Sequence, residues 1–382
     1  MGLLLAGVAA TPAHAETIRS QQWHLDAMKA DDIWKISTGK GVTVAVIDSG
    51  INRIPELEGQ VLSGKDFEPE GTKGDERTDI SSHGTTMAAL IAGSGKHPSG
   101  DGAFGLAPGA KILPIRVPHE TESATPSWAA AIRYAADSDA KIINISMGLP
   151  TAPERDRERA EAVKYALSKG KLIFAAVGND GDTLNEVAYP AATPGVVGVS
   201  AVSANGEATK ESAHGPQVDL AAPGIDIVTG CSGKTGLCTS HGTSDATALA
   251  SASAALLWSA HPDWTNNQVL RVLLNTAGKP TDGSQRNDYV GYGVVRPRIA
   301  IPTPGDPGPA DVYPLPDLAA ADAAKKPSAS PDGKAPDAAA SKPAPRAEEK
   351  KSGSSLPWIA LGLGACVLIG GAVTVVVVRR NR

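Results

Sequence analysis

The chain has 382 residues, 41% apolar and 20% charged, with a formal net charge of −5. The apolar share supports a packed core and excludes a wholly disordered chain. The acidic balance excludes a nucleic-acid binder that relies on a basic face, and three cysteines exclude a disulfide-dense scaffold.

Residues 1–15 are an apolar run that ends in Ala13-His14-Ala15. This is the pattern of a signal peptide with a small-residue cleavage site, although the usual positive start is missing. Between this site and the first strand, Trp23, Leu25, Ile33 and Trp34 read as packing positions. So short a segment cannot bury enough surface to fold alone. It is expected to wrap the following domain as a permanent arm rather than to act as a cleaved pro-domain.

Residues 41–47 form a short, β-branched, apolar run flanked by Gly41 and Gly50, and 111–117, 141–145, 171–177 and 195–202 are similar. Helical stretches separate them at 84–93, 127–137 and 154–169, and long helices follow at 244–260 and from Thr265-Asn266-Asn267-Gln268, a capping-box pattern. Strands apolar on both faces that alternate with helices imply an α/β domain with a mostly parallel sheet. In such sheets the loops at the carboxyl ends of the strands carry the chemistry.

The domain is expected to cover 16–301. Residues 302–355 hold 11 of the 29 prolines, many alanines and no apolar period, which reads as a disordered Pro/Ala-rich linker. Residues 356–378, from Leu356 to Val378, carry no charge and are long enough to span a bilayer as one helix. Trp358 marks one boundary, and the basic tail 379–382 marks the other. The positive-inside rule places that tail in the cytoplasm and the domain outside.

Four residues could carry chemistry. Asp48 ends the first strand in Asp48-Ser49-Gly50, His83 opens a helix in Ser82-His83-Gly84-Thr85, and Ser244 opens another in His241-Gly242-Thr243-Ser244. Asn179 follows a strand in Val177-Gly178-Asn179. Singly, each reads as a cap or turn residue. Together, the order Asp…His…Ser separates them from the α/β-hydrolases and from chymotrypsin, and it is the order found in subtilisin.

These blocks resemble the catalytic motifs of subtilisin-like serine proteases, and the resemblance covers about residues 23–300. It implies a subtilisin-like three-layer fold with Asp48, His83 and Ser244 as a triad and Asn179 as an oxyanion donor. It also implies a substrate pocket lined by Ser146, Met147, Gly148, Gly178 and Tyr189, and protein or peptide substrates. Signal, protease, linker, single membrane helix and basic tail together resemble a mycosin, one of the membrane-anchored proteases associated with type VII secretion. That layout implies a secretion membrane complex as partner. Two positions depart from the family pattern: Asp245 stands after the serine where an apolar residue is usual, and Ala248 stands where proline is usual. Asp245 motivates the alternative of a structural subunit of a secretion complex that keeps the protease fold with weak or no cleavage.

Cys231 and Cys238, seven positions apart in a domain placed outside the cell, are expected to form a disulfide, whereas Cys366 lies in the membrane stretch. No cofactor or metal is implied. The acidic stretch 66–79 could bind Ca²⁺ or favour basic substrates, but it has no recognisable ligand spacing and reads as a solvated face.

Overall fold

The structure is a computed structural model that describes residues 16–118, 125–151 and 156–325. The expected signal peptide, the linker beyond 325, the membrane helix 356–378 with Cys366, and the basic tail lie outside the described residues. Among the described residues, no helix is long and apolar enough to cross a membrane.

Three short helical turns open the chain: α1 (Ile18–Gln21), α2 (Trp23–Met28) and α3 (Ala30–Ile33). The strands that follow are β1 (Thr43–Asp48), β2 (Lys65–Asp66), β3 (Lys111–Arg116), β4 (Ile142–Ile145), β5 (Leu149–Pro150), β6 (Leu172–Ala176), β7 (Ala188–Tyr189), β8 (Val197–Val202), β9 (Leu220–Pro223), β10 (Ile227–Gly230) and β11 (Leu237–Ser240). The longer helices are α4 (His83–Ala92), α5 (Thr125–Asp137), α6 (Arg157–Ser168), α7 (Thr243–Ala260) and α8 (Asn266–Thr276), followed by the short α9 (Pro297–Ala300) and α10 (Asp317–Lys325).

Seven strands form one sheet in the order β2-β3-β1-β4-β6-β8-β9, with every neighbouring pair parallel. Alternation along the strands separates two apolar layers. Val44, Val46, Ile142, Phe174 and Val199 face one layer with α4, α7 and α8. Ala45, Ile47, Ile143, Ile145 and Ala175 face the other, with Trp128 and Ile132 of α5 and Val163 of α6. Helix α7 is buried from Thr243 to Trp258. Its alanines and serines let it lie close under the sheet, and a helix apolar on every side is stable only inside.

Two terminal segments complete this body. The N-terminal arm docks through Leu25, Met28 and Ile33, each at most 2% exposed. It also uses side-chain bonds to distant backbone: the Gln22 amide donates to the Phe104 and Val228 carbonyls at 2.7 and 3.1 Å, and the Trp23 indole donates to the Ile225 carbonyl at 3.1 Å. At the other end, the packed chain runs on past the boundary expected at 301. Arg271 donates to the Pro307 and Pro309 carbonyls at 2.7 and 2.9 Å. Leu315 is buried, and Asp317 accepts the Gly195 N–H at 2.6 Å. The prolines hide this packing in the sequence, because it rests on single contacts rather than on a period.

Candidate active site

Asp48 ends β1, whose register against β3 pairs Asp48 with Arg116. The carboxylate is fully buried, and its Oδ1 accepts the Ser49 N–H at 2.8 Å and lies 2.7 Å from His83 Nδ1. His83 is the first residue of α4. Gly84, the next residue, permits the approach, since a Cβ there would stand 2.2 Å from the Gly50 carbonyl oxygen and 3.0 Å from the Asp48 Cβ.

Asp79 builds the start of α4. It accepts the Ser82 and Thr85 N–H groups at 2.9 Å each, the Thr85 hydroxyl at 2.6 Å and the Ser49 hydroxyl at 2.9 Å. The His83 and Gly84 N–H groups go instead to the Ser81 and Ser49 hydroxyls, at 3.1 Å each, so the helix-entry donors are satisfied. Ser82 adopts a left-handed conformation, with φ at 67°. Sequence reasoning missed this role and counted Asp79 within the acidic stretch. That stretch is not a plain solvated face: Asp66 and Glu68 pair with the buried Arg116 at 3.1 and 3.7 Å. Among the described residues, no group of three or more His, Cys, Asp or Glu side chains is placed to hold a metal ion.

Ser244 lies in the first turn of α7. Gly242 precedes the turn at φ 125°, and a Cβ there would meet the Asn179 Nδ2 at 2.9 Å. Asn179 is exposed after β6, and its Oδ1 accepts the Thr243 N–H at 2.8 Å and the Thr243 hydroxyl at 3.0 Å. That pairing leaves the Nδ2 amide as the outward donor beside the helix N-terminus, where the peptide dipoles favour a developing negative charge.

Of the residues expected to line a pocket, Ser146 bonds this serine directly. The Ser244 hydroxyl donates to the Ser146 carbonyl at 2.8 Å, and the Ser146 hydroxyl donates back to the Ser244 carbonyl at 2.9 Å. Beyond Met147 and Gly148, β5 pairs with β7, with Leu149 opposite Tyr189. A Cβ on Gly148 would meet Ala188 at 3.1 Å. Gly178 accepts from Thr243 Oγ1 at 3.3 Å. The strips 146–149 and 188–189 and the Gly178 turn therefore form adjoining walls beside Ser244.

Burial draws the His83 imidazole down, but the charge and hydrogen bond of Asp48, with the charges of Asp245 and Asp79, outweigh it and push the pKa up to about 9. Asp245 is fully buried. Burial pushes its carboxyl up to about 6, against a hydrogen bond from Ser240 and the charges of His83 and His241. Cys231 and Cys238 are joined across the tip of the β10–β11 hairpin, with their Cα atoms 6.0 Å apart.

A carboxylate-held imidazole and a serine at a buried helix N-terminus, in this chain order on a seven-stranded parallel sheet, define the subtilisin-like class of serine proteases. The chain belongs to the Subtilase family, whose model matches residues 39–293. Subtilisin E of Bacillus subtilis (strain 168) is 37% identical over 63% of this chain, which spans 61% of that protein's length. Mycosin-1 of Mycobacterium tuberculosis H37Rv is 32% identical, with 75% of this chain and 74% of that protein covered. The crystal structure of MycP1 from Mycobacterium smegmatis matches with a TM-score of 0.66 at 28% identity, covering 80% of this chain and 90% of that one. A chain in the periplasmic assembly of the ESX-5 inner membrane complex matches with a TM-score of 0.65 at 27% identity, over 80% of this chain and 90% of that one.

Proposed function

We propose that the chain is a serine endopeptidase. The observation that carries this reading is the 2.7 Å contact between His83 Nδ1 and the buried Asp48. It fixes the imidazole with Nδ1 protonated and leaves Nε2 as the base. Ser244 attacks the peptide carbonyl, His83 takes its proton and passes it to the leaving amine, and Asp48 holds the tautomer and stabilises the imidazolium. The Asn179 amide and the Ser244 N–H receive the oxyanion. The peptide lies against Ser146, Met147, Gly148, Gly178 and Tyr189. The test is labelling of the full chain by a fluorophosphonate probe. Labelling that is lost in Ser244→Ala supports the assignment, and labelling that survives in the mutant rejects Ser244 as nucleophile.

The setting we propose is that of a mycosin: a signal at 1–15, anchorage by 356–378, a domain outside the cell and association with a type VII secretion membrane complex. The likeness to the ESX-5 assembly chain supports it. A second reading, a structural subunit with weak or no cleavage, is favoured by Asp245, whose buried carboxylate stands beside the nucleophile. Absence of labelling in the unmutated chain would select that reading.

A further inference from the structure

Beyond the turn that carries Asp48, the residues Asn52, Arg53, Pro55, Arg77, Ser232 and Gly236 line a pocket of about 520 Å³. One wall is the disulfide-closed tip of the β10–β11 hairpin, which includes Cys231. The other wall is tied to the triad. The Asn52 amide donates to the Asp79 carbonyl at 2.6 Å and to the Ser232 hydroxyl at 2.9 Å. The Ser232 N–H donates to the hydroxyl of Ser82 at 2.8 Å, and Ser82 immediately precedes His83. The pocket and the imidazole therefore share one hydrogen-bonded wall.

The pocket holds two cations. Arg77 is partly buried, and its Nε donates to the Ile51 carbonyl at 3.0 Å, which aims the rest of the guanidinium. Its pKa is lowered first by burial and then by the charge of Arg53, while Glu76 and Asp75 oppose this. Among the described residues neither arginine makes an ion pair. Glu58 lines an adjoining cavity with the same two arginines and still stands beyond ion-pair range of both. Two neighbouring like charges that no ion pair joins repel each other, and the more distant Glu76 and Asp75 offset this only in part. Guanidinium forks match the geometry of a carboxylate, which would relieve that repulsion.

We propose that Arg53 and Arg77 form a subsite for an acidic side chain of the peptide presented to Ser244, an inference that rests on the protease reading above. A glutamate or aspartate seated there would set the register of the chain across the triad.

The test uses the full chain carrying Ser244→Ala, so that no peptide is consumed. The probes are fluorescent octapeptides with amidated C-termini, in which Glu replaces Gln at one position at a time, so only side-chain carboxylates vary. Fluorescence anisotropy should find one position where Glu binds about tenfold tighter than Gln at low salt, with the preference shrinking as salt rises. Arg53→Gln and Arg77→Gln should each reduce that preference to about twofold or less. Arg53 is exposed, so its variant carries the test if Arg77→Gln lowers the melting temperature. No position favouring Glu, or a preference unchanged in Arg53→Gln, overturns the subsite. Fluorophosphonate labelling of the unmutated chain reads the protease assignment separately. A Glu preference without labelling keeps the subsite and rejects cleavage, and labelling without a preference rejects the subsite alone.

Discussion

Ser244 and Ser146 bind each other reciprocally, each hydroxyl donating to the other's carbonyl, at 2.8 and 2.9 Å. The Ser146 hydroxyl also accepts from Asn144 at 3.0 Å, and the Asn144 Oδ1 accepts from Ser251, deeper in α7, at 2.9 Å. A buried polar chain thus ties the start of α7 to β4 and back to its own middle. On the proposed mechanism, Ser244 must release the Ser146 carbonyl and turn its hydroxyl before it can attack.

Ser146→Ala removes the bond to the Ser244 carbonyl and leaves the Asn144 amide without its acceptor. A loss of about 1–3 kcal/mol is expected from the unpaired buried group. Phosphonylation by a fluorophosphonate, with fluoride leaving, should slow as well, because the helix start shifts. Chemical denaturation and the labelling rate read the two effects, and an unchanged labelling rate would deny Ser146 a positioning role.

Asn179→Ala should leave the fold intact while cutting kcat. In subtilisin, loss of the corresponding kind of donor costs about 10²–10³. KM should change little, since the oxyanion exists only along the reaction path. A variant with wild-type kcat would move the oxyanion site elsewhere.

Activity should rise with pH toward the alkaline side. His83 accepts a proton only when neutral, and its pKa stands at about 9, where the opposing pull of burial is outweighed mainly by Asp48, with help from Asp245 and Asp79. Asp245 is itself ionised above about 6, so Asp245→Asn removes one of the charges that favour the imidazolium and should shift the midpoint of the kcat/KM profile downward. The stability term runs the opposite way to activity. The imidazolium contribution is fully present below the ordinary histidine value of 6.5 and disappears as pH rises through about 9. A profile that does not move in Asp245→Asn removes that carboxylate from the argument.

Opening the Cys231–Cys238 bridge should destabilise the domain. Closing a loop over a sequence separation of 7 is worth about 2–3 kcal/mol on the chain-entropy model. The double variant Cys231→Ser, Cys238→Ser should melt roughly 3–5 °C lower. Scanning calorimetry of both proteins decides it, and coincident melting curves would leave the bridge without a stabilising role.

Much of the architecture was legible because the inner strands are apolar on both faces, as in Val44-Ala45-Val46-Ile47 and in Ile142–Ile145. β9 was not, because Leu220-Ala221-Ala222-Pro223 is short, alanine-rich and closed by proline. Its place comes from the neighbours that pair with it. Asp48, His83 and Ser244 stood out by their order and their flanking glycines. Asp79 did not, since its partners Ser49, Ser82 and Thr85 share no period with it. The Ser146 carbonyl that receives Ser244 was equally invisible, because a backbone acceptor leaves no mark on residue type. Leu315 and Asp317 were masked by the prolines around them.

The N-terminal arm has a bearing on the order of assembly. Gln22 and Trp23 clasp the carbonyls of Val228 and Ile225, partners 206 and 202 positions away, at the base of the hairpin that leads to Ser244. Contacts of such long sequence separation close late in folding. On a ribosome the arm emerges before these partners and waits, its apolar side uncovered, until the last third of the domain has been made. The hairpin cannot be braced before then. A nascent chain therefore carries its fold in parts, and the turn that bears Ser244 is braced only as the body around it closes.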